Sequence, residues 1–264
     1  MEYYKTLPFY PGLDFYRALS ETEFNLNNFG TFIPDTLINM GKLVWIQWLP
    51  TSDTYGGKNI RRDHDFMLIN FAEHLNNLET SLYWRDPTDI DRPVVIEKKL
   101  TNKHPIESTL SMSILVNTLN THISQNSIYQ KYCFARVNKA CCLRICYNSS
   151  SYSKIKKNQG VMIASKHSNT IDEFDPTSFQ IFILKGKIIF EYEQRTQKIM
   201  GVLERAFNVR IRQIVWDFHR DEKNKVWFVG IHSYLVETDA KIAKPMLKYY
   251  DSAEKKQKNE DSWF

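Results

Sequence analysis

The sequence lacks long apolar runs and the opening pattern of a secreted protein. No stretch approaches the roughly eighteen consecutive apolar residues that a membrane-spanning helix needs. The first residues, MEYYKTLPFYPGLDFYR, also lack the basic-then-apolar order of a signal peptide. With 42% hydrophobic and 25% charged residues, the composition is that of a globular protein. We therefore expect a soluble, cytoplasmic chain with no membrane span.

Cysteine is confined to one short stretch, which contains Cys133, Cys141, Cys142 and Cys146. A secreted disulfide framework would distribute its cysteines so that they join distant loops. Clustered thiolates can bind zinc, but this spacing lacks the paired CxxC motifs that bring four sulfurs to a tetrahedron. We expect cysteines of the hydrophobic core in a reducing compartment and no metal site, with zinc as the less favoured alternative.

Local catalytic motifs are missing as well. The sequence has no P-loop, GxGxxG fingerprint, GxSxG elbow, HExxH pair or kinase signature. The charged run RRDHD at residues 61–65 could serve acid–base chemistry or bind a phosphate, but consecutive residues do not converge on one point, and a solvated loop and helix start are favoured. An active site assembled from distant residues is the open alternative. The sequence therefore predicts a protein that is not an enzyme, with no catalytic residue and no cofactor.

An excess of one sign of charge is also lacking. The 35 basic and 30 acidic residues leave a net charge of +5 that is scattered along the chain, so nucleic acid is not a favoured partner. Glycine and proline number nine each, whereas Asn, Lys, Ile and Tyr are abundant. This bias is typical of an AT-rich genome such as that of a protist.

The residues that are present predict an α+β fold, in which an antiparallel sheet with hairpins packs against two or three helices. Residues 43–49 form an apolar run that predicts a buried strand or one turn of helix. Further strands are expected at residues 94–100, 139–147 and 161–164, and helices at residues 65–78, 108–124 and 194–207. The second helix would be capped by Ser108, with one apolar face made of Met112, Leu115, Val116, Leu119 and Ile123.

Two hairpins are expected, one at residues 179–193 with Gly186 in its turn and one at residues 211–237. In the second hairpin, alternation places Val215, Asp217 and His219 on one face and Trp216 and Phe218 on the other. Its large apolar side chains are expected in the structural core: Trp216, Phe218, Trp227 and Phe228.

Three regions are expected along the chain: an aromatic arm at residues 1–40, an α+β domain at residues 41–250 and a frayed, charged tail at residues 251–264. The sequence DPTDIDRP is a candidate internal break near residues 86–93. Arm and loop residues could bind a partner, although packing of the arm on its own core and solvation of the lysines are favoured. The candidates are Tyr3, Tyr4, Phe9, Tyr10, Lys154, Lys156 and Lys157.

The segment DFHRDEKNKVWFVGIHSY resembles the last strand pair of ATP-grasp ligases, including tubulin tyrosine ligase-like enzymes, where the pattern is roughly DFxxDxxxKxWxxExN. In that family the first Asp, the Glu and the Asn hold the magnesium ions on ATP. Asp217 matches the first Asp, but Gly230 and His232 stand at the Glu and Asn positions. The resemblance implies a degenerate nucleotide site, because glycine has no side chain that can bind a metal ion.

The longer stretch at residues 132–234 resembles uncharacterised ciliate and flagellate proteins, some of them associated with the axoneme. It includes KACCLRICY and KGKIIFEYEQRTQKIMGVLERAF and covers under half of the chain. This resemblance implies a structural, non-enzymatic component of a large protist assembly at the cytoskeleton or cilium. Its expected partners are other proteins, including tubulin and axonemal proteins. The alternatives are a degenerate ATP-grasp-type nucleotide-binding protein or a nucleic-acid-associated subunit.

Overall fold

The chain forms an α+β fold of two antiparallel sheets and three helices within the part that the structure, a computed structural model, describes. The predicted fold class is confirmed. The described residues are 16, 31–39, 41–49, 57–62, 64–82, 93–100, 105–121, 123, 125–133, 141–149, 154, 157–166, 177–207, 210–221 and 225–236.

The first sheet contains six strands and is accompanied by two helices. The strands are β1 (Thr36–Asn39), β2 (Leu43–Leu49), β3 (Gly57–Arg61), β4 (Pro93–Leu100), β5 (Pro105–Ser111) and β6 (Ser127–Lys131), and the helices are α1 (His64–Leu82) and α2 (Met112–Thr121). Their spatial order is β3-β2-β1-β6-β4-β5. One face packs against α1 and α2, where the Trp45 and Phe71 rings meet edge-on at 5.7 Å between centroids.

The second sheet contains five strands, with one long helix packed on it. The strands are β7 (Cys141–Asn148), β8 (Gln159–Ser165), β9 (Phe179–Leu184), β10 (Ile211–Arg220) and β11 (Val226–Val236), and the helix is α3 (Lys187–Phe207). The spatial order is β11-β10-β7-β8-β9. Trp216 Nε1 donates a hydrogen bond of 2.9 Å to Thr196 Oγ1, which attaches β10 to α3.

The hairpin predicted at residues 211–237 is confirmed, with β10 and β11 paired in antiparallel register. The Trp216, Phe218 and Phe228 side chains have no exposed surface, and their rings contact one another at centroid distances of 5.5–5.9 Å. Trp227 is half-buried; its ring lies 5.4 Å from that of Phe32, and its Nε1 donates to Asp221 Oδ2 at 2.8 Å.

The two sheets share one hydrophobic core. Ile38, Ile46 and Ile128 of the first sheet belong to the same buried cluster as Ile145 and Trp216 of the second. Backbone hydrogen bonds between residue 32 and strand β11 also connect the two halves. Since β1 lies in the middle of the first sheet, residues 36–39 belong to a folded sheet although they fall in the range assigned to the arm.

The prediction of a helix that begins at Ser108 is wrong. Residues 105–111 form strand β5, and the helix starts only at Met112. The Ser108 hydroxyl donates a hydrogen bond to Glu97 Oε2 on the neighbouring strand at 3.2 Å. Pairing with β4 therefore prevails over the local capping pattern. Val116, expected on the buried face of the helix, is 40% exposed, whereas Leu115 and Leu119 are buried.

The hairpin expected at residues 179–193 is also wrong. Residues 179–184 form β9, but the expected second arm is the start of α3, which begins at Lys187 instead of residue 194. Gly186 has a φ of +65°, a left-handed conformation that suits a strand-to-helix turn as well as a hairpin. Tyr192, Thr196 and Ile199 are buried, and their spacing of four and three residues places them on one face of a helix. Burial of this face favours the helix over the second arm of a hairpin.

Several predictions fall outside the described residues. These concern Tyr3, Tyr4, Phe9, Tyr10, residues 86–92 of the possible break, and the tail at residues 251–264. They stay predictions. None of the described helices is long and apolar enough to span a membrane.

Candidate functional site at the junction of the two sheets

The matched Asp of the ATP-grasp-like pattern is held in a largely buried ion pair. Asp217 on β10 is the register partner of Arg144 on β7. Arg144 Nε donates to Asp217 Oδ1 at 2.8 Å, and its terminal Nη2 donates to Oδ2 at 2.7 Å. The side chains are 3% and 19% exposed. Both carboxylate oxygens therefore accept hydrogen bonds from one guanidinium in the bidentate geometry that such pairs favour.

Lys98 lies beside the position where the pattern requires a Glu. Gly230 on β11 is the register partner of Asp217, and a Cβ at Gly230 would lie 3.3 Å from Lys98 Nζ. This lysine comes from β4 of the other sheet; its Nζ donates to the Val229 carbonyl at 2.9 Å and lies 3.5 Å from Glu107 Oε1. A side chain larger than hydrogen at residue 230 would therefore press on the ammonium group.

Tyr16 completes the junction from the N-terminal side. Its hydroxyl donates to the same Val229 carbonyl at 3.3 Å and accepts a hydrogen bond from Gln130 Nε2 on β6. Burial raises the pKa of Tyr16 to about 12, although the nearby Lys98 charge acts in the opposite direction. The phenol is therefore neutral near pH 7 and available as a donor.

Electrostatics keep Lys98 charged in spite of its burial. Burial lowers the pKa of Lys98, but the Glu107 and Asp217 carboxylates act in the opposite direction, and the net effect raises it above the ordinary value. The side chains of Glu107, Lys98, Asp217 and Arg144 thus alternate in sign across the junction. We conclude that this cluster joins the two sheets electrostatically, and that a cation approaching Asp217 would meet two positive groups.

Lys98 and Arg144 were missed by the sequence reasoning. Arg144 is the only charged residue between the apolar positions of strand β7, so its presence among buried neighbours was an available signal. Lys98 lies in the charged triplet EKK that follows the apolar residues 94–96. A lysine in such a triplet is usually taken to be solvated. Its partner Val229 is 131 positions away along the chain, and no local pattern reports such a contact.

The remaining site candidates are separate from this junction. Lys154 and Lys157 are exposed, and Lys156 lies outside the described residues. Cys133 and Cys146 are buried and the other two cysteines are half-buried; burial raises the pKa of Cys133 and of Cys141. Within the described ranges, no group of three His, Cys, Asp or Glu side chains is placed to hold a metal ion.

A second polar cluster lies where α1 meets the first sheet. His74 Nε2 contacts buried Asp35 Oδ2, and His74 Nδ1 lies 3.5 Å from Gln47 Nε2. The His74 ring also packs against Trp45 at 5.6 Å between centroids. Because both ring nitrogens contact protein groups, the cluster orients α1 on the sheet and leaves no ring nitrogen directed at a substrate.

Comparisons with known proteins identify no family for this chain. No protein-family model matches it, and no curated protein matches it. Among solved structures, a similar one is the crystal structure of macrocyclase MdnC bound with precursor peptide MdnA from Microcystis aeruginosa MRC. The TM-score is 0.41 at 13% identity, covering 82% of this chain and 52% of that one. The chain spans about half the length of that neighbour, and a likeness this distant assigns no function to it.

Proposed function

We propose that this chain is a non-enzymatic structural and interaction component of a large protein assembly, the ciliary axoneme of a protist. The observation that carries the non-enzymatic part is the ion pair between Arg144 and Asp217. A site for magnesium on ATP needs carboxylate oxygens directed at the cation, whereas both oxygens of Asp217 accept hydrogen bonds from Arg144. Gly230 supplies no ligand, and the adjacent Lys98 ammonium would repel a cation.

The axonemal setting is supported by the sequence resemblance of residues 132–234 and by the composition typical of an AT-rich genome. Tubulin and other axonemal proteins are the proposed partners, and the cytoskeleton or cilium is the proposed location. The shared core and the charged junction suit this role, because they join the two sheets into one body that can present fixed surfaces to neighbours.

Localisation in a ciliated protist tests this proposal. A tagged full-length copy is expected along the cilium and in the axonemal fraction that remains after detergent extraction. The tag expressed alone is the control and should be extracted with the cytosol. A diffuse signal of the tagged chain, with none of it in the cytoskeletal fraction, would contradict the proposal.

A second candidate function, binding of a nucleotide without catalysis, is favoured by Lys98. Its ammonium, on a side chain that is 15% exposed, projects from one sheet to the other, beside the strand pair that resembles an ATP-grasp site. A phosphate could take the place of the Val229 carbonyl as its partner. Calorimetry with ATP, with and without magnesium, compares the unmodified chain with Lys98→Met. Binding that this substitution abolishes would favour this candidate, and no heat at about millimolar nucleotide would eliminate it.

A further inference from the structure

One end of the second sheet brings together lysines from two separate segments. The register pairs Cys146 with Gln159 and Gly160 with Leu184. The last residues of β7, the first of β8 and the last of β9 therefore lie at the same end of the sheet. The loop from β7 to β8 and the turn from β9 to α3 therefore emerge side by side. The loop contains Lys154 and Lys157, and the turn contains Lys185 and Lys187.

Hydrogen bonds hold the base of the loop against its neighbours. Asn148 Nδ2 donates to the Lys157 carbonyl at 2.9 Å, and the backbone N–H of Asn148 donates to Asn158 Oδ1 at 2.7 Å. Asn158 Nδ2 in turn donates to Glu193 Oε1 on α3 at 2.8 Å. Neighbouring strands lie about 4.8 Å apart, so the bases of the loop and of the turn are separated by about that distance.

Positive charge predominates at this end among the described residues. The four lysines are exposed. Arg210, which precedes β10 at the same end of the sheet, is exposed as well. The three glutamates of α3 each already accept a hydrogen bond: Glu191 from Arg195 and Arg220, Glu193 from Asn158, and Glu204 from the Ile211 backbone amide at 2.8 Å. An acidic partner would therefore find several lysines and few competing carboxylates.

Apolar side chains are exposed next to these lysines. Phe182 on β9 is 46% exposed, and Ile188 and Phe190 in the first turn of α3 are 49% and 58% exposed. Strand β9 is the outer strand of the sheet as far as the structure describes it. An outer strand can pair with an added extended peptide through its backbone groups, and Phe182 could contact an apolar side chain of that peptide.

We propose that this surface, formed by Lys154, Lys157, Lys185, Lys187 and the β9 edge, binds an acidic extended segment of a partner protein. The inference rests on the proposed function and specifies the chemistry of its partner. Glutamate side chains pair with the lysines, while the peptide backbone extends the sheet at β9. A nucleic acid would use the lysines but would gain nothing from the edge of the strand or from its register.

Fluorescence anisotropy with a labelled synthetic peptide, rich in glutamate and with one central phenylalanine, tests the surface. Reversing all four lysines to glutamate is expected to weaken binding by about tenfold or more, since each exposed ion pair contributes up to about 1 kcal/mol. The same lysines changed to glutamine should give a smaller loss. Lys42, an exposed lysine in the turn between β1 and β2, provides the control, and Lys42→Glu should leave binding unchanged. Phe182→Asn should weaken peptide binding severalfold.

Three outcomes would overturn this inference. The unmodified chain could fail to bind the peptide at low salt, Lys42→Glu could weaken binding as much as the lysine reversals, or single-stranded RNA could bind more tightly than the peptide and ignore Phe182→Asn. Circular dichroism of each variant verifies its fold. Axonemal localisation that persists without peptide binding would reject this surface and leave the proposed function standing.

Discussion

At the residue scale, the ion pair of Arg144 and Asp217 is expected to behave as a buried one. Arg144→Met leaves the Asp217 carboxylate without its bidentate partner and should lower the free energy of unfolding by about 3–5 kcal/mol. The double variant Arg144→Met/Asp217→Leu should recover most of that loss, because the uncompensated charge is gone. Urea denaturation measures both.

A partly exposed ion pair provides the control for this prediction. Arg195 and Glu191 lie 3.2 Å apart on α3 with side chains 24% and 41% exposed. Arg195→Met should therefore change stability by about 1 kcal/mol or less. Equal losses for Arg144→Met and Arg195→Met would show that the Arg144 pair gains nothing from its burial.

The two tryptophans of the hairpin should differ in their contribution to stability. Trp216→Ala is expected to cost about 3–5 kcal/mol, because the ring is fully buried and Nε1 is bonded to Thr196. Trp227→Ala should cost about half as much or less, since that side chain is only half-buried. Thermal or urea unfolding decides the order, and a larger loss at Trp227 would contradict the assigned packing.

Tyr16 predicts a loss of stability at high pH. Its pKa is raised from 10.0 to about 12 in the folded chain, so the unfolded chain releases the phenol proton first as the pH rises. The stability that the neutral phenol provides is complete below pH 10.0 and is lost as the pH approaches 12. Tyr16→Phe should reduce the fall in the free energy of unfolding over this pH range, as measured by urea denaturation at each pH. Identical profiles in the two proteins would contradict the prediction; Tyr132, also raised to about 12, leaves a residual slope in both.

At the element scale, the turn between β9 and α3 depends on Gly186. Its φ of +65° lies in the left-handed region, and no atom beyond its chain neighbours lies within 4 Å of the position that a Cβ would occupy, so strain and not collision opposes a side chain there. Gly186→Ala should cost about 1–2 kcal/mol. Gly186→Asn should cost less, because Asn tolerates this conformation. Equal stability of the alanine variant and the unmodified chain in urea would show that the turn is not left-handed in solution.

The same turn shows why the element type at residues 187–193 was not predictable from local pattern. KIIFEYE has the β-forming residues of a hairpin arm, and a glycine before it suits either structure. Helix formation brings Tyr192, Thr196 and Ile199 onto one face, where they pack on the second sheet. At residues 105–111 the local pattern predicts a helix and the structure has a strand. Ser108 resembles a helix cap but lies in β5, which pairs with β4.

At the scale of the whole molecule, the junction depends on contacts that join distant parts of the chain. Arg144 and Asp217 are 73 positions apart, and Lys98 and Val229 are 131 apart. The Lys98 contact follows from the way the two sheets, built from different halves of the chain, meet around one core. The Arg144 contact follows from the pairing of β7 with β10 inside the second sheet. The lysines of the proposed binding surface also come from separate segments, and the register of β7, β8 and β9 brings them together.

The sequence by itself determined the α+β class, the hairpin of β10 and β11 and most of the strand positions, because alternation and turn residues act over a few neighbouring positions. It also indicated that Gly230 has no side chain with which to ligate a metal ion. Only the tertiary structure decided that Lys98 lies beside Gly230, that Arg144 holds Asp217, and that residues 105–111 and 187–193 are strand and helix. Those outcomes depend on burial and pairing between distant segments, whose free energy exceeds the small local preferences of the chain.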